Sequence, residues 1–387
     1  MHEMSNALPT LGVSGWRLLG QRTGVGRYTL SLVENFSREI VGDLFSEINV
    51  YTPASLDQSA IATPEPVHNK VLKSKLPMIA WDNLRLGPTS RDDVVLYPSF
   101  SRPLVTRRAS VVVTHDATMR IVPELFTRRD RLVYDPLYGW SARAATLVIT
   151  TSEAAKRDIV REWRVDPEKI RVTPLAASDS FRQLVPIDDR EQLRRDKLQI
   201  DSPYFMFVGK ISGRRNLPEL LRAFVEFKKS GYPHKLLVVG PTYAIEQVNA
   251  LAAETNSTGD LITRSYVTDE MLNLLYNGAD AFIMPSAYEN GSLPVFEAQA
   301  TGTPVISVQT EGTEEVSGGA ALLIPRLERD LIVEAMKRIA SEPELRRELS
   351  ERGLENSKRY SWRRCARETL EVCREAVEIY KGASSRI

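Results

Sequence analysis

Short runs rich in Val and Ile alternate with longer amphipathic stretches along the whole chain, and this alternation limits the fold more than any other feature. Such apolar runs are typical of parallel strands that helices cover on both faces. The runs form two sets of about six, one in each half of the 387 residues. The sequence therefore predicts an α/β protein with two Rossmann-like, doubly wound domains in succession.

The predicted strands can be assigned from these runs. In the first set they are Leu8–Val13, Ile48–Tyr51, Val94–Tyr97, Ser110–Thr114, Thr146–Thr150 and Ile170–Thr173. In the second set they are Tyr204–Val208, Lys235–Val239, Leu261–Thr263, Ala281–Met284, Pro304–Ser307 and Ala321–Ile324. Helices are expected between them.

The segment between the two sets breaks regular structure at Pro174 and Pro186, which favours a domain boundary there. We predict an N-terminal domain at residues 1–182 and a C-terminal domain at residues 183–365. A last helix, at about residues 366–387, is expected to pack back on the first domain.

Composition and charge narrow the class of protein. The chain is 42% hydrophobic and 26% charged, as soluble globular proteins are, and its net charge of +1 argues against nucleic acid as a partner. No apolar run has the length of a membrane span, and the first residues lack the basic and apolar segments of a signal peptide. We therefore expect a cytoplasmic protein.

Cysteine and histidine usage gives no sign of a disulfide or a metal site. Cys365 and Cys373 lie eight residues apart in one predicted helix, so about 12 Å of helix axis separates them and they cannot be bridged. We expect both thiols to pack as small apolar groups. The four histidines form no cluster with each other or with the cysteines.

The segment from Glu289 to Glu297 joins a predicted strand to a predicted helix. Gly291 lets the backbone approach a ligand, and Pro294 suits the first turn of the helix. Free N–H groups at such a helix start can bind phosphate, and the two acids can bind hydroxyls. Because ligands of parallel sheets bind past the carboxyl ends of strands, the segment suits a nucleotide sugar; the alternative is a surface loop with two unrelated acids.

A second loop, residues 209–216, also follows a predicted strand. Its three cations, Lys210, Arg214 and Arg215, lie between that strand and a helix, where they can bind a diphosphate. Asn216 is expected to cap the helix. The alternative is a basic loop that is merely solvated.

The first half of the chain offers two further candidates. Gly24 and Gly26 lie in a turn before the predicted helix Thr29–Ser37, and they can bring the backbone close to a ligand. The turn matches a dinucleotide fingerprint only in part, because Thr29 stands where a third glycine is required. His115 directly follows a predicted strand, and a structural and a functional role both stay open.

Together these motifs resemble the glycosyl transferases group 1 family, whose members have a GT-B fold, use nucleotide sugars and retain the anomeric configuration. The Glu-x7-Glu pattern of the family is matched by Glu289 and Glu297. Its phosphate loop is matched by Gly209-Lys210 and Arg215-Asn216, with Lys and Arg in exchanged positions.

The similarity extends from about Gly12 to Glu375. It includes the glycine turn, the His115-Asp116 pair and the segment of residues 148–158. It departs at the end of the first strand, where Ser14 replaces the acidic residue usual in this branch of the family.

The resemblance implies a role for each candidate residue. Lys210 and Arg215 would hold the diphosphate, Glu289 the hydroxyls of the donor sugar and Glu297 the ribose, while His115 would lie beside the sugar. The catalytic set would thus be Lys210, Arg215, Glu289 and His115, and the further donor-binding residues would be Gly24, Gly26, Gly209, Asn290, Gly291, Ser292, Leu293 and Glu297. No metal ion is expected, because the cations can stabilise the leaving diphosphate, and no cofactor beyond the nucleotide-sugar co-substrate.

The resemblance also implies two domains that face a cleft, the first on the acceptor side and the second binding the nucleotide sugar. The implied reaction moves a hexosyl group, with mannose favoured, to a hydroxyl of a glycan or lipid-linked glycan in polysaccharide or O-antigen synthesis. A GDP-sugar is favoured over a UDP-sugar as donor. A nucleotide-sugar epimerase and a noncatalytic sugar-nucleotide sensor stay open as alternatives, whereas the incomplete fingerprint argues against a dehydrogenase.

A basic segment from Arg102 to Arg131 contains seven arginines and three acidic residues, with Leu104, Ile121 and Phe126 among them. A lipid-linked acceptor would favour a peripheral contact of this segment with the inner face of the membrane, because basic residues are attracted to anionic lipid. The alternative is an ordinary solvated surface.

Overall fold

The structure is a computed structural model that describes residues 7–20, 24–56, 64–209, 212–240, 245–254 and 258–384. It divides into two compact units. Unit 1 comprises Met1–Leu175 with Ser361–Ile387, and unit 2 comprises Ala176–Tyr360. Each unit is built around a parallel sheet, which confirms the predicted α/β fold.

The described strands of unit 1 are β1 (Thr10–Ser14), β2 (Glu47–Thr52), β3 (Val67–Val71), β4 (Val94–Tyr97), β5 (Ala109–Val113), β6 (Leu147–Thr150) and β7 (Ile170–Val172). They form a parallel sheet in the order β3-β2-β1-β4-β5-β6-β7. The sequence analysis missed β3. That strand lies at the sheet edge and exposes His68 and Lys70, so it lacks the continuous apolar run of the buried strands.

Helices α1 (Gly24–Asn35), α2 (Arg38–Val41), α3 (Met78–Trp81), α4 (Gly87–Thr89), α5 (Thr118–Ile121), α6 (Asp135–Ala144) and α7 (Glu153–Trp163) accompany these strands. Residues 82–86 form a π-type turn between α3 and α4. Large apolar side chains such as Trp81, Val112 and Trp163 fill the core between the helices and the sheet.

The described strands of unit 2 are β8 (Tyr204–Val208), β9 (Lys235–Val239), β10 (Leu261–Arg264), β11 (Ala281–Met284), β12 (Val305–Val308) and β13 (Leu322–Ile324). They pair in parallel in the order β10-β9-β8-β11-β12-β13, each within one residue of its predicted position. The helices are α8 (Arg190–Leu193), α9 (Leu217–Lys228), α10 (Ile245–Glu254), α11 (Asp269–Gly278), α12 (Leu293–Ala300), α13 (Glu311–Ser317), α14 (Arg329–Ser341) and α15 (Pro343–Ser357).

The last helix, α16 (Trp362–Ser384), belongs to unit 1 although it follows unit 2 in the sequence. It packs on α1 and α2 and on strands β4, β5 and β6. Cys365 and Cys373 are free and fully buried in it, and burial raises the pKa of the Cys365 thiol to about 12, so both cysteines pack as apolar groups as expected. Among the helices that the structure describes, none is both long and apolar enough to cross a membrane.

Each sheet has a point at which its strand order reverses. In unit 1 it lies between β1 and β4, and in unit 2 it lies between β8 and β11. Loops that leave the carboxyl ends of two such strands diverge, and open α/β sheets bind ligands in the resulting crevice. In unit 2 these loops are residues 209–216 and 285–292, the two segments that the sequence analysis selected.

Candidate active site

The first loop of unit 2 turns sharply as it leaves β8. Gly209 has φ = +140°, which residues with a side chain rarely adopt, and its N–H donates to the carbonyl oxygen of Val239 over 3.0 Å. Lys210 lies outside the described residues. A short 3₁₀ turn follows and carries Arg214 and Arg215. Two of the three predicted cations are therefore held at the reversal point of the sheet.

Glu289 lies beside both of these arginines. Its Oε1 is 3.4 Å from Arg214 Nη1, and its Oε2 is 3.4 Å from Arg215 Nη1. Glu289 is only 4% exposed, so the ion pairs are shielded from solvent. The Ala287 N–H also donates to the carbonyl oxygen of Arg214 over 3.0 Å, which ties the two loops together. The structure brings Arg215 and Glu289 into contact and adds Arg214, to which the sequence analysis gave no separate role.

Asn216 occupies the N-cap position of α9, as predicted, but its side chain does not cap the helix. Its backbone has φ = +47°, and its side chain donates to the carbonyl oxygen of Arg214 over 3.2 Å while making no capping bond within the described residues. Asn tolerates this left-handed backbone better than most residues do. Its side chain therefore closes the cationic turn instead of starting the helix.

The second loop of unit 2 ends at the start of α12. Pro294 lies in the first turn, as predicted, and Ser292 occupies the N-cap position. The hydroxyls of Ser286 and Ser292 are buried and make no hydrogen bond to any described residue. Buried polar groups normally have a partner, so these hydroxyls and the first-turn amides form a polar surface suited to an anion.

The remaining predicted residues of this loop differ in exposure. Asn290, Ser292 and Leu293 are buried, whereas Gly291 is partly exposed. Glu297 lies one turn inside α12, is 1% exposed and accepts a hydrogen bond from the Tyr276 hydroxyl over 3.2 Å. The two acids of the motif therefore lie in different surroundings, one against cations and one against a tyrosine hydroxyl.

Helix α13 fixes the loop that carries Glu289, a contact that the sequence analysis missed. The Thr310 hydroxyl donates to the carbonyl oxygen of Glu289 over 2.8 Å. A Cβ on Gly312 would lie 2.4 Å from that oxygen and 2.4 Å from Asn290 Cα, so only glycine permits this approach. The available signal was the Thr-Glu-Gly-Thr sequence after strand β12, which lies at the same sheet edge.

In unit 1, His115 follows β5 at the carboxyl edge of the sheet. Its Nε2 lies 3.2 Å from the carbonyl oxygen of Pro98, and its ring contacts Tyr28 and Phe100 at centroid distances of 4.9 and 5.2 Å. Burial lowers the pKa of His115, so the ring is neutral near neutral pH. Because a carbonyl only accepts, Nε2 carries the hydrogen and Nδ1 is left as an acceptor.

Gly24 and Gly26 lie within helix α1, so the expectation that they form a turn before the helix was wrong. Helix α1 already begins at Gly24, which is exposed, and Gly26 is buried inside its first turn. Tyr28 packs on His115 and on Trp362, and this tertiary contact extends the helix across residues of low helix propensity.

A buried carboxyl group lies beside the end of β1, although the chain has Ser14 there instead of the acidic residue usual in the family. Ser14, which stands in place of the usual acid, donates its hydroxyl hydrogen to Asp82 Oδ1 over 2.7 Å. Burial raises the pKa of Asp82 to about 7, against the effects of Ser14 and of the Arg17 charge. No local signal reveals this pair, because 68 residues separate the two positions.

Within the described residues, no three His, Cys, Asp or Glu side chains gather as metal ligands. The expectation that no metal ion is required stays a prediction.

Comparisons with known proteins bear on this arrangement. Residues 189–356 match the family model described as glycosyl transferases group 1. The chain is 26% identical to the O-antigen chain mannosyltransferase B of Escherichia coli, over 90% of this chain and 95% of the relative. It is 28% identical to the MMP alpha-(1->4)-mannosyltransferase of Mycolicibacterium hassiacum, over 80% of this chain and 67% of the relative.

The fold is similar to that of sucrose-phosphate synthase from Thermosynechococcus elongatus, with a TM-score of 0.74 at 18% identity, over 95% of this chain and 98% of that one. The family match covers most of unit 2 and includes both candidate loops. Unit 2 therefore contains a region that matches the glycosyl transferases group 1 family, and the chain is a glycosyltransferase of the GT-B fold.

Proposed function

We propose that the protein transfers a hexosyl group, mannose before other hexoses, from a nucleoside diphosphate sugar to a hydroxyl of a glycan or lipid-linked glycan, with retention of configuration. The observation that carries the proposal is the contact of Glu289 with Arg214 and Arg215 at the reversal point of unit 2. The choice of sugar, and polysaccharide or O-antigen synthesis as the setting, are supported by relatives named mannosyltransferases.

The charges of this cluster suit a donor that is anionic at one end and neutral at the other. Arg214 and Arg215 exceed Glu289 by one positive charge. In the sequence, Lys210 precedes them in the same loop and carries a further positive charge. When a donor binds, Arg215 and Lys210 hold its diphosphate, on which negative charge grows as the bond to the sugar breaks. A preorganised cation at that position stabilises the transition state more than the bound donor.

Glu289 and Glu297 bind different uncharged parts of the donor, the sugar and the ribose. Glu289 accepts hydrogen bonds from sugar hydroxyls, and such bonds to a carboxylate are stronger than neutral ones. Glu297 binds the ribose, and the start of α12 faces the phosphate with its amide groups. No metal ion is needed: we expect activity to survive exhaustive treatment with EDTA, and a loss that manganese or magnesium restores would contradict this.

A thermal-shift screen of GDP-, UDP-, ADP- and TDP-sugars would test the donor. A ligand that binds the folded state raises its apparent stability, and we expect GDP-mannose to give the largest rise. A larger rise with a UDP-sugar would correct the base and leave the cluster assignment in place.

Turnover separates the proposed transferase from its alternatives. With the donor and a glycan acceptor, NMR of the product should show the anomeric configuration of the donor. An epimerase would interconvert donors without an acceptor, and a sensor would bind a donor without breaking it. An inverted product would contradict retention even if transfer took place.

A further inference from the structure

A basic cavity of about 520 Å³ lies in unit 1, in the segment that follows His115. It is lined by Arg120, Arg128, Arg131 and Asp135 together with the apolar side chains of Met119 and Leu132. None of these residues has a role in the site described above. Its size is that of a small-molecule or headgroup site, since such pockets measure about 300–1,000 Å³.

The positive charge of the cavity is neutralised only in part by the described residues. Asp135 is buried, with Oδ2 2.7 Å from Arg120 Nε and Oδ1 accepting a hydrogen bond from Trp163 Nε1 over 2.9 Å. Both oxygens of this carboxylate are therefore engaged. Arg128 and Arg131 form no ion pair with any described residue, so two guanidinium groups remain at the cavity wall. Guanidinium groups bind phosphate well because their geometry permits paired hydrogen bonds.

The acidic residues of the same segment do not offset these two arginines inside the cavity. The Asp130 carboxylate accepts hydrogen bonds from the hydroxyl of Thr127, over 2.7 Å, and from its N–H, over 3.1 Å. Neither Asp130 nor Glu124 is among the residues that line the cavity. The carboxylate of Asp130 instead holds the start of the turn that carries Leu132.

The cavity has an apolar rim. Leu132 is 75% exposed and the adjacent Val133 is 53% exposed. Exposed aliphatic side chains beside unpaired arginines are typical of surfaces that bind anionic membranes, where the cations contact phosphate and the apolar groups enter the interface.

We propose that this cavity binds the phosphate headgroup of an anionic membrane lipid, with Leu132 and Val133 entering the bilayer interface. The proposal deepens the proposed function and rests on it, because a transferase with a lipid-linked acceptor acts at a membrane surface. It also assigns membrane binding to a few residues at the end of the basic segment Arg102–Arg131, and not to the whole segment. Arg107 and Arg108 belong to that segment but do not line the cavity.

Vesicle sedimentation of the full-length protein tests this assignment. The wild type should bind phosphatidylcholine vesicles that contain phosphatidylglycerol and should not bind phosphatidylcholine alone. Arg128→Gln/Arg131→Gln should weaken binding about thirtyfold, the effect expected for two basic residues at an anionic surface. The matched control Arg107→Gln/Arg108→Gln removes the same charge outside the cavity and should weaken binding less than about threefold. Equal weakening by both pairs would overturn the cavity as the site.

Two further measurements test the apolar rim and the source of the phosphate. Leu132→Ser/Val133→Ser should weaken vesicle binding at least about tenfold, and unchanged binding would contradict insertion. Excess glycerol phosphate should compete with the vesicles; a thermal shift by this compound that leaves vesicle binding intact would show a site for free phosphate instead.

Transfer to a water-soluble glycan acceptor distinguishes this proposal from the proposed function. Arg128→Gln/Arg131→Gln should transfer to such an acceptor at the wild-type rate. If the wild type binds vesicles as expected but transfers no sugar, the proposed function fails and the membrane site stands. If transfer proceeds without binding to anionic vesicles, the membrane site fails alone.

Discussion

The carboxyl edges of the two sheets carry different electrostatic arrangements. In unit 2, buried Glu289 lies against Arg214 and Arg215, so charges of opposite sign stabilise each other. In unit 1, burial dominates: it lowers the pKa of His115 and raises that of Asp82 to about 7, so both groups tend towards their neutral forms. The buried acid in unit 2 therefore has close ion-pair partners, whereas burial in unit 1 disfavours the charged forms of His115 and Asp82. A charged edge of this kind suits a diphosphate.

If the paired charges at the edge of unit 2 serve catalysis, Arg215→Ala should lower turnover more than the other substitutions do. It removes the cation proposed to stabilise the leaving diphosphate, and turnover should fall at least about a hundredfold. Arg222→Ala is the control, because Arg222 is an exposed residue of α9 that pairs with Glu219. Steady-state kinetics with circular dichroism would measure both. Near-wild-type transfer by a folded Lys210→Ala/Arg215→Ala protein would remove the basis of the diphosphate assignment.

Substitution of the two acids tests whether Glu289 and Glu297 have different roles in unit 2. Glu289→Gln should lower kcat by about tenfold or more and change nucleotide affinity little, because its contact strengthens in the transition state. Glu297→Gln should weaken binding of donor and of free nucleotide alike, about tenfold, as loss of a contact shared by both states does. Kinetics and calorimetry with the free nucleotide would compare them, and identical profiles would show that the roles are not divided.

The rigidity of the unit 2 loop can be tested at Gly312. In Gly312→Ala the new methyl group would lie 2.4 Å from two backbone atoms, so the loop at Glu289 must shift. We expect a loss of stability of about 1–3 kcal/mol together with weaker donor binding. Gly259→Ala is the control, because no described atom lies within 4 Å of its added Cβ. Denaturant unfolding that gives equal stabilities for the two variants would contradict the tight contact.

The raised pKa of Asp82 in unit 1 predicts that the stability of the protein depends on pH. Since the pKa of Asp82 is about 7 in the folded protein, against 3.8 ordinarily, the folded state binds the proton more tightly than the unfolded state does. The stability that this group contributes is present below about pH 4 and is lost as the pH rises to about 7. Asp82→Asn stays neutral and can still accept the Ser14 hydroxyl hydrogen. Its stability relative to wild type should rise on the order of 2 kcal/mol between pH 5 and pH 8; a constant difference in urea unfolding would refute the shifted pKa.

The sequence predicts those structural features that residues close together in the chain determine. The buried strands could be located because a strand covered on both faces is a continuous apolar run, and β3 could not because it is an exposed edge strand. The loops of unit 2 could be identified because each contains its own glycines, cations or acids. The Ser14–Asp82 pair and the contact of Gly312 with Asn290 could not, because only the fold brings them together. Helix α1 began earlier than predicted for the same reason: Trp362, which packs on Tyr28, is distant in sequence.

The position of α16 has a consequence for the order in which the protein folds during synthesis. Unit 2 is one continuous stretch, Ala176–Tyr360, and its core is complete before α16 has been translated. The surface of β4, β5 and β6 that α16 covers stays open until Leu370 and Val377 have left the ribosome. Because domains fold as units during translation, we expect the second unit to mature before the first. Proteolysis of a released chain that ends at Tyr360 should find unit 2 protected and unit 1 sensitive; equal protection would show that unit 1 folds without its last helix.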